Sequence, residues 1–282
     1  MRSSYFSHHL LVLILLLPSF LQAADFEWQD LAGGTFNLSA DWKNVTTLSG
    51  PPAGPPGAAD TAIFDLSAGT PYTVGFNADI TNNQLIIRND DLVFDLGGFT
   101  YSLNNSGVSA YIGESVGDVG ALTVNNGSLS AAGVLYVGSN GTGTLTIQNA
   151  QVSDTVGFIG TYGGSVGTAD VGAGGVWVNS GSLRVGNYGA GTLNITGGGQ
   201  VSNTTGWIGT FAGASGEVAI SGVGSTWTNS SAIYVGRAAG ALVSGTMTVE
   251  KGGQVTNTVG YIGNDSGAVG IATVDDADGL GS

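Results

Sequence analysis

Only two imidazoles occur in the chain, His8 and His9, and there is no thiol at all. Both histidines fall within ten residues of the start, so the rest of the chain has no His general base and no His or Cys metal ligand. Carboxylates, hydroxyls, amides, aromatic rings and a few cations remain. A glycosidase needs two carboxylates flanking the sugar, one with a raised pKa. From Ala110 onward the acids are thinly spread, as Glu114, Asp118, Asp154, Asp170, Glu217, Glu250 and Asp265, and the bases there are Arg184, Arg237 and Lys251. No cluster gathers on neighbouring segments, so the expectation is a protein that is not an enzyme. A polysaccharide-active lyase or hydrolase is the alternative.

Calcium chemistry has two candidate turns. Asp275, Asp276 and Asp278 precede Gly279, and Gly263-Asn264-Asp265-Ser266-Gly267 is also rich in oxygen. A calcium loop of the Asp-x-Asp-x-Asp-Gly type would need a ligand where Val274 stands and a closing Glu, which is absent. Solvated turn carboxylates are therefore expected, with a calcium-binding surface-layer protein as a further alternative. Gly186-Asn187-Tyr188-Gly189-Ala190-Gly191 loosely mimics a phosphate-cradling loop, but no helix follows it, so it is a turn. No cofactor, metal or catalytic residue is expected.

A second feature with chemical content is a series of rings. An aliphatic-glycine pair recurs at Ile112-Gly113, Val137-Gly138, Ile159-Gly160, Val185-Gly186, Ile208-Gly209, Val235-Gly236 and Ile262-Gly263, in steps of 22 to 27 residues. Strand side chains alternate, so if each aliphatic points inward the residue before it points outward. Those residues are Tyr111, Tyr136, Phe158, Arg184, Trp207, Tyr234 and Tyr261. Such a column of flat rings offers a surface to glycans, matrix or other surface proteins; stacking of the rings on one another is the structural alternative.

The element that must position these rings follows from the same period. After each glycine comes a second run, Gly-x-(Leu/Val/Met/Ala)-x-(Val/Ile), and Gln151-Val152, Gln200-Val201 and Gln254-Val255 mark a third in every second unit. Units alternate between Gly-aromatic-Ile-Gly (Gly157, Gly206, Gly260) and a large aliphatic in the glycine's place (Leu135, Leu183, Ile233). Short strands at this period predict an all-β fold, a right-handed single-stranded parallel β-helix of about 22–27 residues per coil. Trp177 and Trp227 are expected to pack inside, while Gln151, Gln200 and Gln254, like Asp154, Asn203 and Asn257, are expected to cap turns or bond along the stack.

The blocks Val201-Ser202-Asn203-Thr204-Thr205-Gly206-Trp207-Ile208-Gly209 and Ser221-Gly222-Val223-Gly224-Ser225-Thr226-Trp227-Thr228-Asn229-Ser230 resemble a repeat of bacterial surface proteins. These are autotransporter (type V secretion) passengers and PEP-CTERM-associated repeat proteins. The resemblance covers about residues 107 to 282 and implies a β-helical passenger exported to the cell surface, the outer membrane or the medium, with a structural or adhesive role. The resemblance implies a translocator barrel or sorting segment at the C-terminal end, and none is read within residues 107 to 282. The chain stops at Asp278-Gly279-Leu280-Gly281-Ser282, where the earlier copy continues from Ser225 into Thr226-Trp227, which reads as a C-terminally truncated fragment.

The beginning of the chain agrees with export. Arg2 precedes the apolar run Leu10 to Leu17, then Pro18 and the small-residue exit Leu21-Gln22-Ala23, which predicts a signal peptide over residues 1–23. That run is too short for a bilayer, which needs ~20 apolar residues, so no transmembrane segment of its own is expected after cleavage. Residues 24–69, with Trp28, Trp42 and a Pro/Gly-rich loop, are expected to cap the helix. Residues 70–106 would form irregular first coils, and 107–282 the regular repeats. With 20 acidic against 6 basic residues and a net charge of -14, nucleic acid and anionic membranes are excluded as partners. An unfinished last coil would expose unpaired strand groups and favour end-to-end self-association.

Overall fold

A strand of four residues cannot bury its apolar side alone, but coiling the chain lays it on its equivalent one turn away, ~4.8 Å along the axis. The computed structural model shows this arrangement for residues 23–47, 54–237 and 243–275. The expected signal peptide up to Gln22 and the closing stretch Asp276 to Ser282 lie outside the described residues. The chain is an all-β solenoid of about 8 turns, built from stacked parallel strands. Among the described residues the single helical segment is the 3-10 turn Ser39–Asp41, and no helix is long and apolar enough to cross a membrane.

Each regular coil has three faces. The first carries Val108–Ile112, Val134–Val137, Val156–Ile159, Ser182–Val185, Thr205–Ile208, Ala232–Val235 and Val259–Ile262, in parallel register. Ile112, Val137, Ile159, Val185, Ile208 and Val235 form a ladder with no solvent exposure, each side chain contributing about 1.5–3 kcal/mol by its burial. Ile262, in the last described coil, is exposed because nothing described covers it.

The second face repeats Leu122 to Val124, Leu145 to Ile147, Leu193 to Ile195 and their equivalents. A tight corner joins the two faces. Gly160 sits there at φ 69, and a Cβ on it would run into the carbonyl of Ala190 in the next coil. Positive φ and close approach both demand glycine at this corner.

The third face differs from the expectation that it belongs to alternate coils. It is present in every coil, as Ser128 to Ala131, Gln151 to Asp154, Val176–Asn179, Gln200–Asn203, Thr226–Asn229 and Gln254–Thr256. Its inward residue alternates in size, with Val152, Trp177, Val201 and Trp227 in succession, all buried. The Gln-Val pair identifies half of the coils because the others place tryptophan in the valine position.

Size on the third face is matched by size on the first. Coils with Val152 or Val201 have Leu135 or Leu183 opposite, whereas coils with Trp177 or Trp227 have Gly157 or Gly206. A Cβ on Gly206 would lie 2.7 Å from Trp227 Cζ2, and one on Gly157 3.0 Å from Trp177 Cζ2. The two unit types are thus two ways of filling one cross-section, Leu plus Val or Gly plus Trp.

At the end of four of these third strands stands a buried polar residue, Asp154, Asn179, Asn203 or Asn229. The indole of Trp177 donates to Asp154 Oδ2 at 2.6 Å, and that of Trp227 to Asn203 Oδ1 at 2.7 Å. Asn203 Nδ2 continues to Asn229 Oδ1 at 2.7 Å. The expected bonding along the stack is therefore present at Asp154 and Asn203, with tryptophans as donors, whereas Gln151, Gln200 and Gln254 are exposed.

The boundary expected at residue 69 falls inside a coil. Thr61–Phe64, Tyr72–Gly75 and Ile80–Asn82 already occupy the three faces. Beyond them Asp25–Trp28 adds a parallel strand, and Trp42–Asn44 closes that edge antiparallel. Trp28 and Trp42, 5.1 Å apart edge to face, seal the core at this end.

Candidate functional site

The outward column of the first face runs without a break through seven successive coils. Tyr111 stacks on Tyr136 with ring centroids 5.3 Å apart, and Tyr136 on Phe158 at 5.2 Å. Trp207 stacks on Tyr234 at 4.2 Å and Tyr234 on Tyr261 at 4.6 Å, each pair within 7° of parallel. Arg184 bridges the two groups, its guanidinium carbon 5.4 Å from the Phe158 centroid and 5.7 Å from that of Trp207. All six rings and the arginine are brought together.

Their orientation differs from rings lying flat to solvent. The faces turn along the solenoid axis onto one another, because the rung spacing is close to a ring-stacking distance and stacking removes both faces from water. Ring edges and hydroxyls are what reach solvent, and most of the rings are half-buried. Burial first, then Glu114 for Tyr111 and Tyr162 for Tyr136, holds both phenols above their usual pKa. They stay neutral hydrogen-bonding groups at ordinary pH.

A second, shorter file of rings was not anticipated. It follows the corner glycine two residues on, in Gly160-Thr161-Tyr162, Gly186-Asn187-Tyr188 and Gly209-Thr210-Phe211. Tyr188 stacks on Phe211 at 4.4 Å, and Tyr162 and Tyr188 are about half exposed. The recurring Gly-x-aromatic spacing was the available signal. In the next coil Arg237 follows Gly236 directly, in the register of Thr210 rather than Phe211, and its guanidinium carbon lies 4.2 Å from the Trp207 centroid.

Carboxylates are placed otherwise. Among the described residues Asp154 is the one acid whose pKa is pushed up to about 7, by burial, with the Trp177 indole opposing. It is sealed in the core at 4% exposure. No group of three or more potential metal ligands forms among the described residues. Asp265 lies in an exposed turn, and Asp276 and Asp278 of the other oxygen-rich turn lie outside the described residues.

Removing a ring from the middle of the stack measures its contribution to folding. Tyr234→Ala loses two ring contacts and is expected to cost about 1–3 kcal/mol in urea unfolding. An unchanged midpoint would mean that the stack forms without stabilising the coil. The chain matches no family model, and it matches no curated protein and no solved structure.

Proposed function

We propose that this chain is a non-catalytic, exported β-helical repeat protein of the bacterial cell surface, autotransporter-passenger-like or PEP-CTERM-associated, whose role is structural or adhesive. The observation that carries the reading is the outer column, which presents ring edges, phenol hydroxyls and a guanidinium from seven successive coils. A rigid line of repeated groups suits an extended partner contacted at many weak points. The charged, apolar and small-residue order of residues 1–23 supports export, and the acidity of the chain favours partners that are not polyanions.

The test compares binding to immobilised neutral glycans and matrix proteins by the parent and by a Trp207→Ala, Tyr234→Ala double variant, with thermal unfolding used to establish that the variant is folded. At least tenfold weaker binding by the folded variant is expected. Equal binding by the two would overturn the adhesive reading of this face.

A further inference from the structure

Acids outnumber bases 20 to 6 in this chain, yet of the five bases among the described residues Lys43, Arg184 and Arg237 have no carboxylate partner, and only the two arginines of these stand together. Arg88 shows the paired arrangement, held by Glu114 at 3.0 Å and Asp65 at 3.6 Å from the coils on either side. Lys251 pairs with Glu250 at 3.2 Å. Arg184 and Arg237 have no carboxylate partner among the described residues, although both are half-buried and both lie against Trp207, at 5.7 and 4.2 Å from its centroid. The five residues after Arg237 carry no charge either.

Two adjacent like charges without a counter-charge are costly, and the cost is visible. Burial, and then the proximity of Arg237, draw the Arg184 guanidinium below its usual pKa. Its side chain finds one neutral acceptor, Asn187 Oδ1, at 3.3 Å from Nη1, while Nε is cut off from water with no acceptor. A guanidinium that lies against rings uses its face and keeps its terminal N–H groups free in its own plane, where a carboxylate binds with two parallel hydrogen bonds.

We propose that Arg184 and Arg237, mounted on Trp207, form a binding site for the isolated carboxylate of an acidic sugar within a glycan chain. The proposal rests on the adhesive reading and names its ligand class. The surroundings favour sugar over protein. A protein partner needs about 800 Å² of surface with an apolar, dehydrated centre, but here the apolar ring faces are consumed in the stack. What the column offers on either side of the arginines is a file of edges and hydroxyls, including the exposed Tyr188, to which a polyhydroxylated chain can hydrogen-bond. The net charge of -14 repels a dense polyanion at long range, so the glycan carries spaced carboxylates.

The experiment uses the full chain and three probes: an oligosaccharide alternating glucose with glucuronic acid, the same oligosaccharide with its carboxyls reduced to alcohols, and a glutamate-containing peptide of equal charge. Calorimetry is expected to show the carboxylated sugar binding at least tenfold more tightly than the reduced one. Arg237→Gln should erase that preference while leaving thermal unfolding unchanged within a few degrees. Arg184→Gln should do the same if it folds, and Arg88→Gln, whose charge is already paired, should leave the preference intact. Equal binding of the two sugars overturns the carboxylate site and leaves the adhesive column standing. Preference for the peptide overturns the sugar assignment. Loss of all sugar binding from the parent overturns both readings together.

Discussion

Asp154→Asn is expected to stabilise the solenoid at pH 8 by up to about 4 kcal/mol and to leave its stability at pH 4 nearly unchanged. Burial pushes the Asp154 carboxyl up to about 7, from the 3.8 usual for an aspartate. The folded chain therefore keeps a proton on this group to a higher pH than the unfolded chain does. Its contribution is fully present below about pH 4, is lost as pH rises through about 7, and stays lost above. Asparagine does not titrate, so the variant and the parent should separate across that window. The chain already contains the replacement geometry, since the Trp227 indole donates to Asn203 at 2.7 Å where the Trp177 indole donates to Asp154 at 2.6 Å. Urea midpoints between pH 4 and pH 8 measure the difference. Parallel curves for the two proteins would show that Asp154 ionises in the folded state without penalty.

The second large effect is a coupling between two positions. Gly206→Leu places a Cβ 2.5 Å from Asn229 Oδ1 and 2.7 Å from Trp227 Cζ2, and overpacking of that kind costs about 1–3 kcal/mol or more. Trp227→Val opens a cavity worth about 3–5 kcal/mol. Together the two substitutions rebuild the Leu183 and Val201 cross-section of the neighbouring coil, whose residues are in register with them. The double variant should recover most of the combined loss, with a coupling of at least about 3 kcal/mol in a double-mutant cycle. Additive losses would mean that the alternation of coil types is not a matter of volume.

The solenoid, the inward ladder from Ile112 to Val235 and the corner glycines were legible because each is a residue type recurring at a fixed place. The third strand was legible in half of its occurrences, since Trp177 and Trp227 hide a strand that Gln151-Val152 and Gln200-Val201 announce. Its common property is inward position, and sequence displays that as two unlike residues. The first coil was placed late because Thr61–Phe64 lacks the aliphatic-glycine ending. For the candidate site, alternation settles which side of the strand Tyr136 or Trp207 takes, but not the turn of the ring about its side-chain bonds. The rung spacing sets that turn, and it exists only once coils are stacked. Arg237 escaped notice for a related reason, since it lies in a corner and joins the column only through the fold.

The distribution of indoles gives the molecule a reporter of its own. Trp28, Trp42, Trp177 and Trp227 have no solvent exposure, and of the 5 tryptophans only Trp207 stands on the outer face, half-buried in a stack with a tyrosine and two guanidinium groups. Four emitters are fixed in a dry interior and serve as an internal standard. The fifth is the one whose colour and quenching respond to what touches the column, so occupancy of that face can be followed by light without a label.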